Sequence, residues 1–314
     1  MAAGEGVVGA VGEFERERGR LFGLAYRLLG SAEEAEDAVQ DAYLRWAGAE
    51  RAAIGSPPRW LAKVVTNLCL NRLTSARATR ERYVGPWLPE PVLTGDGTLG
   101  PLESAEQRES VSLAMLVLLE RLTPAERAVF VLREAFGYGH RDVAEVMELS
   151  EANCRQLHRR ARQRVEAARA EAGRGRFRAD PAKAAELVER FLSAARDGDL
   201  PGLERLLAEG VTSWADGGGV ERAARRPISG RLRVARYLAG VAGRFGAGVR
   251  VAFAEVNGEP AVLAHAGGTL IGVLVAEVAG DRIQALHTVA NPVKLRFLAR
   301  QAAGLSHPEG PAGS

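Results

Sequence analysis

Residues 118–169 read LLERLTPAERAVFVLREAFGYGHRDVAEVMELSEANCRQLHRRARQRVEAAR. Thr123-Pro124 is an N-cap followed by proline at the first helical position, where a missing N–H costs nothing. From there the pattern predicts helices over about 124–135, 140–147 and 151–170. Gly137 and Gly139 separate the first two, and Glu148-Leu149-Ser150 separates the last two. A short helix, a three-residue turn and a longer basic helix make a helix-turn-helix. Ser150 caps the third helix, with Glu151 in its first turn. Cys154, Leu157, Ala161, Val165 and Ala168 form its apolar stripe. The opposite face carries Asn153, Arg155, Gln156, Arg159, Arg160 and Arg162. Arginine and the amides match guanine and adenine edges in the major groove, and further arginines suit phosphates. A merely solvated basic helix is the alternative, and the capping and tri-helical spacing argue against it.

Upstream, Phe14, Leu21, Phe22, Leu24, Ala25, Leu28 and Leu29 recur at helical spacing, and 13–48 reads as helical. Gly30-Ser31 ends one helix and caps the next. After the break Gly55-Ser56-Pro57-Pro58, a long helix is expected from about 59 to 82, with the stripe Leu61, Val64, Val65, Leu68 and Leu73. Arg59, Trp60, Lys63, Asn67, Asn71 and Arg72 lie along it. Interleaved cations, amides and an aromatic suit single-stranded DNA. Residues 84–105 hold eight glycines and prolines and form a linker. Within it, WLPEP (Trp87, Leu88, Pro89, Glu90, Pro91) is too apolar for a free tether and is expected to dock on something.

The chain has 314 residues and 42 cations against 39 acids. All but Lys63, Lys183 and Lys294 of those cations are arginines, as a GC-rich coding sequence would favour. Charge is uneven. Residues 31–50 carry a net −5, 72–82 a net +3, 155–178 a net +7 and 221–236 a net +5. The length suggests more than one domain, and 46% hydrophobic content excludes global disorder. No apolar run is long enough to span a membrane, and Met1–Gly12 has no signal-peptide pattern. Cys69, Cys154 and five scattered histidines make no metal motif. A cytoplasmic protein is expected.

From 181 the pattern changes to two helices (181–197, 199–208), a strand (VTSWAD), a helix (230–244), four strands (249–256, 260–266, 269–279, 283–290) and a helix from Pro292. This is an α+β order, a curved antiparallel sheet wrapped around a helix. Residues 173–180 read as a second linker and 306–314 as a disordered tail.

Three segments together resemble bacterial extracytoplasmic-function (ECF) RNA polymerase sigma factors. SAEEAEDAVQDAYLRWA (31–47) is similar to region 2.2, PPRWLAKVVTNLCLNRLTSARATR (57–80) to regions 2.3 and 2.4, and 118–169 to region 4. The resemblance implies a multidomain chain: an all-α region 2 bundle (13–83), the linker (84–105) and an all-α region 4 helix-turn-helix (106–172). It places Asp37, Gln40, Asp41 and Trp46 on the polymerase β′ clamp. Asn67, Asn71 and Arg72 fall at the −10 element, and Arg155, Gln156 and Arg159 at the −35 element. Core RNA polymerase, through its β′ clamp and β flap, and promoter DNA are the implied partners. No cofactor is implied.

The block 181–304 resembles the SnoaL-like domains of the ketosteroid-isomerase superfamily, a cone-shaped α+β fold that one sigma subgroup carries after region 4. That subgroup is marked by WLPEP, by DGGG (Asp216, Gly217, Gly218, Gly219) and by NPxKL, here Asn291, Pro292, Val293, Lys294 and Leu295. An acid usual at the third position of NPxKL is absent. The resemblance implies regulation in cis in place of a separate anti-sigma factor. Relatives of the cone fold isomerise or cyclise substrates, so a small-ligand sensor or residual enzyme is the alternative. Its chemistry would need a base such as Asp216, with His265, His287 or Tyr237 in the pocket. A turn-forming Asp216 and satisfied histidines are favoured, and no enzyme is expected.

Overall fold

The computed structural model describes residues 2–80, 83–95, 97–100, 102, 104–171, 179–219, 223–245 and 248–305. The expected tail at 306–314, most of the 173–180 linker, and Arg82, Arg174, Arg176, Arg178 and Arg222 lie outside the described residues. So do the side chains of Arg77 and Arg80. The chain divides into two compact units, Met1–Arg82 with Thr94–Ala168, and Tyr83–Leu93 with Arg169–Ser314. The expected single linker therefore splits between Leu93 and Thr94.

The first unit is all helical. Helix α1 spans Ala2–Leu29, α2 spans Ala32–Ala47 and α3 spans Pro57–Arg80. Gly30, at φ +67°, lets the chain reverse between α1 and α2, and the Ser31 hydroxyl accepts from the Glu34 N–H at 3.2 Å. Leu21, Leu24, Leu28, Ala35, Val39, Leu61 and Val65 form the shared core. Leu99, in the second half of the linker, is buried against α1, where Gly23 leaves no room for a side chain. A Cβ there would fall 2.5 Å from the Leu99 carbonyl oxygen.

Helices α4 (Ala105–Ser110), α5 (Leu113–Leu119), α6 (Pro124–Glu134), α7 (His140–Met147) and α8 (Glu151–Glu171) follow. Thr123 and Glu126 form a reciprocal capping box at α6. The turn from α7 to α8 passes through Glu148, a non-glycine residue in the left-handed region at φ 54°. Two buried arginines join α1 to α4 and α6. Arg27 donates to Ser110 Oγ at 2.8 Å and to the Gly23 carbonyl at 2.9 Å, and Arg127 Nε donates to the Arg27 carbonyl at 3.0 Å. Burial brings the Arg27 guanidinium down to about 9, and these hydrogen bonds satisfy it.

The second unit is α+β. Helices α9 (Pro181–Asp197) and α10 (Leu200–Leu206) lead into β1 (Leu207–Asp216), followed by β2 (Ile228–Ser229), α11 (Arg231–Phe245), β3 (Val249–Val256), β4 (Glu259–Ala266), β5 (Thr269–Ala279), β6 (Arg282–Val289) and α12 (Pro292–Leu305). The sheet order is β2-β1-β6-β5-β4-β3. It is mixed rather than wholly antiparallel, because β1 runs parallel to β6. One sheet face packs Val211, Val262, Ala276, Val278 and Leu286 against α9, α10 and α11. The opposite face receives α12, which packs against β5.

Candidate nucleic-acid interface and linker latch

Helix α8 buries Cys154, Ala161, Val165 and Ala168 and leaves Leu157 half-buried. Asn153, Arg155, Gln156, Arg159, Arg160 and Arg162 are all exposed on its outer side. Arg155 pairs with Glu151 one turn back, and Arg162 approaches Glu166 at 3.5 Å. Arg159 and Arg160 make no ion pair among the described residues. The helix is fixed from behind by contacts absent from the expected set. His158 Nε2 lies 2.6 Å from Glu134 Oε1, and Arg164 lies 2.6 Å from Glu126. The His158 hydrogen bond holds the Glu134 carboxyl below the usual carboxylate range.

The cations expected to face single-stranded DNA on α3 are already engaged. Arg59 lies 3.0 Å from Asp142 and 3.8 Å from Glu145, and Lys63 lies 2.7 Å from Glu148. All three acids belong to α7 or its C-terminal turn, so the acidic side of the helix-turn-helix covers this cationic stretch. Arg72 reaches the other way, to α2. It lies 2.7 Å from Asp41 and 3.8 Å from Asp37, and donates to the Glu34 carbonyl at 3.0 Å. Asn67 is half-buried and Asn71 exposed.

On α2, Asp37, Gln40 and Asp41 share one face by their i, i+3, i+4 spacing. Trp46 corrects the expected set. It is fully buried, tilted against Trp60 with ring centroids 5.7 Å apart. The indole has too much apolar area to stay in water when Trp60 can cover it. Trp46 is core, and Trp60 is its half-buried lid. The position that does face outward is Leu44, 63% exposed and one turn beyond Gln40 and Asp41. An isolated leucine within an acidic sequence is weak evidence of exposure, and its place is visible only in the fold.

In the second unit, WLPEP, DGGG and NPVKL converge on Asp216. This carboxylate is 1% exposed, and four donors reach it. The Leu88 N–H donates at 2.9 Å, the Gly218 N–H at 3.1 Å and the Lys294 ammonium at 2.7 Å, and the Tyr83 hydroxyl makes a short hydrogen bond. Lys294 also donates to the Leu88 carbonyl. Its ammonium lies 4.4 Å from the Trp87 ring centroid and 4.6 Å from that of Tyr83, within cation–π range. Asn291 donates to the Tyr83 hydroxyl at 2.8 Å. Gly218, at φ +66°, lies so close to Asn291 that a Cβ would fall 2.6 Å from its amide. That explains the glycine chemically. Gly219 passes beside Val84, and Gly217 is buried.

The segment continues as a short strand-like edge. The Val92 N–H donates to Asn257 Oδ1 at 3.0 Å, the Asn257 N–H to the Val92 carbonyl at 2.9 Å, and the Leu93 N–H to Gln301 Oε1 at 3.0 Å. Pro89 and Pro91 are buried and Glu90 is half-buried. Leu295 is core, while Pro292 is exposed. Tyr83, Asn257 and Gln301 were not among the expected residues. Burial, reinforced by the bond to Asp216, pushes the Tyr83 phenol above its ordinary range. Val293, where the subgroup motif has an acid, is 54% exposed, so the missing charge does not touch this network.

The pocket residues considered for chemistry do not converge. Ser213 pairs with Leu286 on the helix-covered face, which places Trp214, Asp216 and His287 on the other. There His287 is buried and stacked on Trp214 at 5.0 Å. Tyr237 packs against the opposite face. His265 is half-buried on β4, paired in register with Arg250. Asp216 already spends its lone pairs on four donors. Among the described residues no cluster of His, Cys, Asp and Glu could hold a metal, and no helix is long and apolar enough to cross a membrane. Cys69 and Cys154 are buried free thiols, and burial raises both above the ordinary thiol range.

Comparison with known proteins is consistent across the chain. Residues 14–79 match the family model for Sigma-70 region 2, and 112–165 match that for Sigma-70, region 4. The ECF RNA polymerase sigma factor SigJ of Mycobacterium tuberculosis is 42% identical over 252 residues, covering 79% of each chain. The probable ECF RNA polymerase sigma factor SigI of the same species is 33% identical over 294 residues, covering 91% of this chain and 95% of its own. The crystal structure of SigJ superposes with a TM-score of 0.71 at 36% identity, covering 91% of this chain and 98% of that one.

Proposed function

The chain belongs to the ECF RNA polymerase sigma factors, and from that premise we propose how its surfaces divide the work of transcription initiation. As a sigma factor it binds core RNA polymerase and promoter DNA. The outward stripe of α2, with Asp37, Gln40, Asp41 and Leu44, docks on the β′ clamp. Arg59, Lys63, Asn67, Asn71 and Arg72 of α3 meet the −10 region. The outer side of α8 reads the −35 duplex, with Arg155 and Gln156 toward base edges and Arg159, Arg160 and Arg162 toward phosphates. The helix-turn-helix also engages the β flap.

The C-terminal domain acts in cis by holding the linker. Tyr83 begins the held segment close after α3, so capturing 83–93 shortens the free tether between α3 and α4. For the linker to thread along the polymerase, the Asp216 network must open. The buried Asp216–Lys294 pair gripping both the N–H and the carbonyl of Leu88 carries this reading. A catalytic or ligand-sensing role is not favoured, because Asp216 and Tyr237 face opposite sides of the sheet.

Run-off transcription with core polymerase tests both statements. Full-length protein should support promoter-dependent initiation, and a chain truncated before 181 or carrying Trp87→Ala should give a different yield. Absence of any promoter-dependent transcript would refute the assignment of surfaces. Equal yields from all three proteins would refute regulation through the latch.

A further inference from the structure

Between Glu221 and Glu255 the sequence contains no acid and eight arginines, and it also contains no asparagine or glutamine. The structure exposes much of this run. Arg225 and Arg226 are exposed ahead of α11, and Arg233, Arg236 and Arg244 are exposed on it. None of these five makes an ion pair among the described residues. Elsewhere exposed arginines commonly find a carboxylate, as Arg59, Arg141, Arg155, Arg162 and Arg205 do. Adjacent exposed arginines left unpaired occur also at Arg159 and Arg160 of α8, the helix assigned to DNA.

At 100° per residue, 233, 236 and 244 fall within one side of α11. Gly240 and Gly243 lie between them, and nothing lies within 4 Å of a Cβ added at either. The stripe is therefore cationic, open and free of obstructing side chains. Its eleven-residue span is about 16 Å, the length of about five base pairs of duplex. Among the described side chains, Leu232 is the one large exposed hydrophobic on it, too little apolar surface for the core of a protein interface.

We propose that the arginine face of α11 is a further DNA contact beyond those of α3 and α8, binding the phosphate backbone of duplex DNA without reading sequence. Helix α8 pairs its arginines with Asn153 and Gln156, which can address adenine edges. The α11 face has no such amide, so it neutralises phosphates and carries no base preference.

The test uses the full chain and fluorescence anisotropy with two labelled duplexes, one promoter and one random, between 50 and 200 mM NaCl. A chain carrying Arg233→Gln, Arg236→Gln and Arg244→Gln should lower the slope of log Kd against log salt by about 2–3, at about 0.9 per lost phosphate contact. The loss should be equal on both duplexes. The corresponding triple lysine variant should keep the slope, since a phosphate contact needs charge and not a guanidinium. An unchanged slope overturns the proposal. So does a lysine variant that behaves like the glutamine one, or a glutamine variant that loses only affinity for core polymerase, which would mark an acidic protein partner.

Discussion

Replacing Lys294 with methionine keeps most of the side-chain volume and removes the charge. Asp216 is then a buried carboxylate with three neutral donors and no counter-ion. Breaking a buried pair by deleting one partner costs about 3–5 kcal/mol. The remaining bonds from Leu88, Gly218 and Tyr83 put this case at the lower end, near 3 kcal/mol. The Leu88 carbonyl also loses its donor, and Trp87 and Tyr83 lose the cation between their rings. The damage therefore concentrates on the docked linker. Hydrogen exchange of the Leu88 amide reports it directly, because that N–H donates to Asp216. A loss of about 3 kcal/mol raises local opening about 100-fold. Adding Asp216→Asn removes the orphan charge, so the double variant should be less destabilised than the two single changes summed, with coupling of about 2 kcal/mol. Unchanged Leu88 exchange in the single variant, or additive changes in denaturant midpoint, would refute the account of Asp216–Lys294 as the latch.

Four further outcomes follow from the helical unit. Trp46→Ala should destabilise it by about 3–5 kcal/mol in urea unfolding, whereas Leu44→Ala should leave stability unchanged and weaken polymerase binding in a pull-down titration; the reverse pattern would restore Trp46 to the surface. Arg155→Ala should relax −35 preference by about 1–3 kcal/mol in run-off competition between promoter variants. Asp142→Asn with Glu145→Gln and Glu148→Gln should free Arg59 and Lys63, so that the isolated protein binds −10 single strands more tightly by anisotropy. Acidification should loosen α8 from α6: the Glu134 value is lower in the folded state, so the His158–Glu134 bond stabilises above the ordinary glutamate value of about 4.3 and is lost as pH falls through the depressed one. Thermal melts from pH 6 to 3 should show that dependence diminished in Glu134→Gln.

What could be read in the sequence was local or periodic. Thr123-Pro124 and Ser150 announce their helices because a cap bonds to residues two or three away. The stripe Cys154, Ala161, Val165 and Ala168 marks the buried side of α8 because helix geometry alone sets that face. The helix-turn-helix and the α+β order emerged from such signals, and the resemblance to sigma factors and SnoaL-like domains supplied the multidomain assignment. The rest depends on partners far along the chain. The β1–β6 parallel pair joins strands some 70 residues apart, so order and periodicity suggested a simpler antiparallel sheet. Tyr83 and Gln301 look like ordinary polar residues until the linker lies along the second unit. Arg27 and Arg127 look like solvated charge, yet both are buried: Arg27 donates to the Ser110 hydroxyl and to backbone carbonyls, while Arg127 donates to the Arg27 carbonyl and pairs with Glu120. Trp46 was misplaced for a related reason: an amphipathic helix has two faces, and composition does not say which one an aromatic at its end will join.

The two sets of internal contacts differ in energy, and that difference orders the steps of initiation. Arg59–Asp142, Lys63–Glu148 and Arg72–Asp41 are partly or largely exposed, so each contributes at most about 1 kcal/mol and weakens with salt. A DNA strand presenting a row of phosphates competes with single carboxylates on better terms, since it replaces several pairs at once and releases counterions. Those contacts can thus yield to promoter DNA unaided. The Asp216–Lys294 pair is desolvated, satisfied on every side and out of reach of salt. DNA cannot displace it, because neither group is accessible. Release of the linker must instead be driven by something that binds the open form more tightly than the closed one, and the linker path on core polymerase is the interaction the chain is built to make. On the proposed reading, polymerase binding opens the linker while promoter DNA itself displaces the contacts over the −10 residues, which would make the C-terminal latch a threshold on polymerase engagement and not on promoter choice.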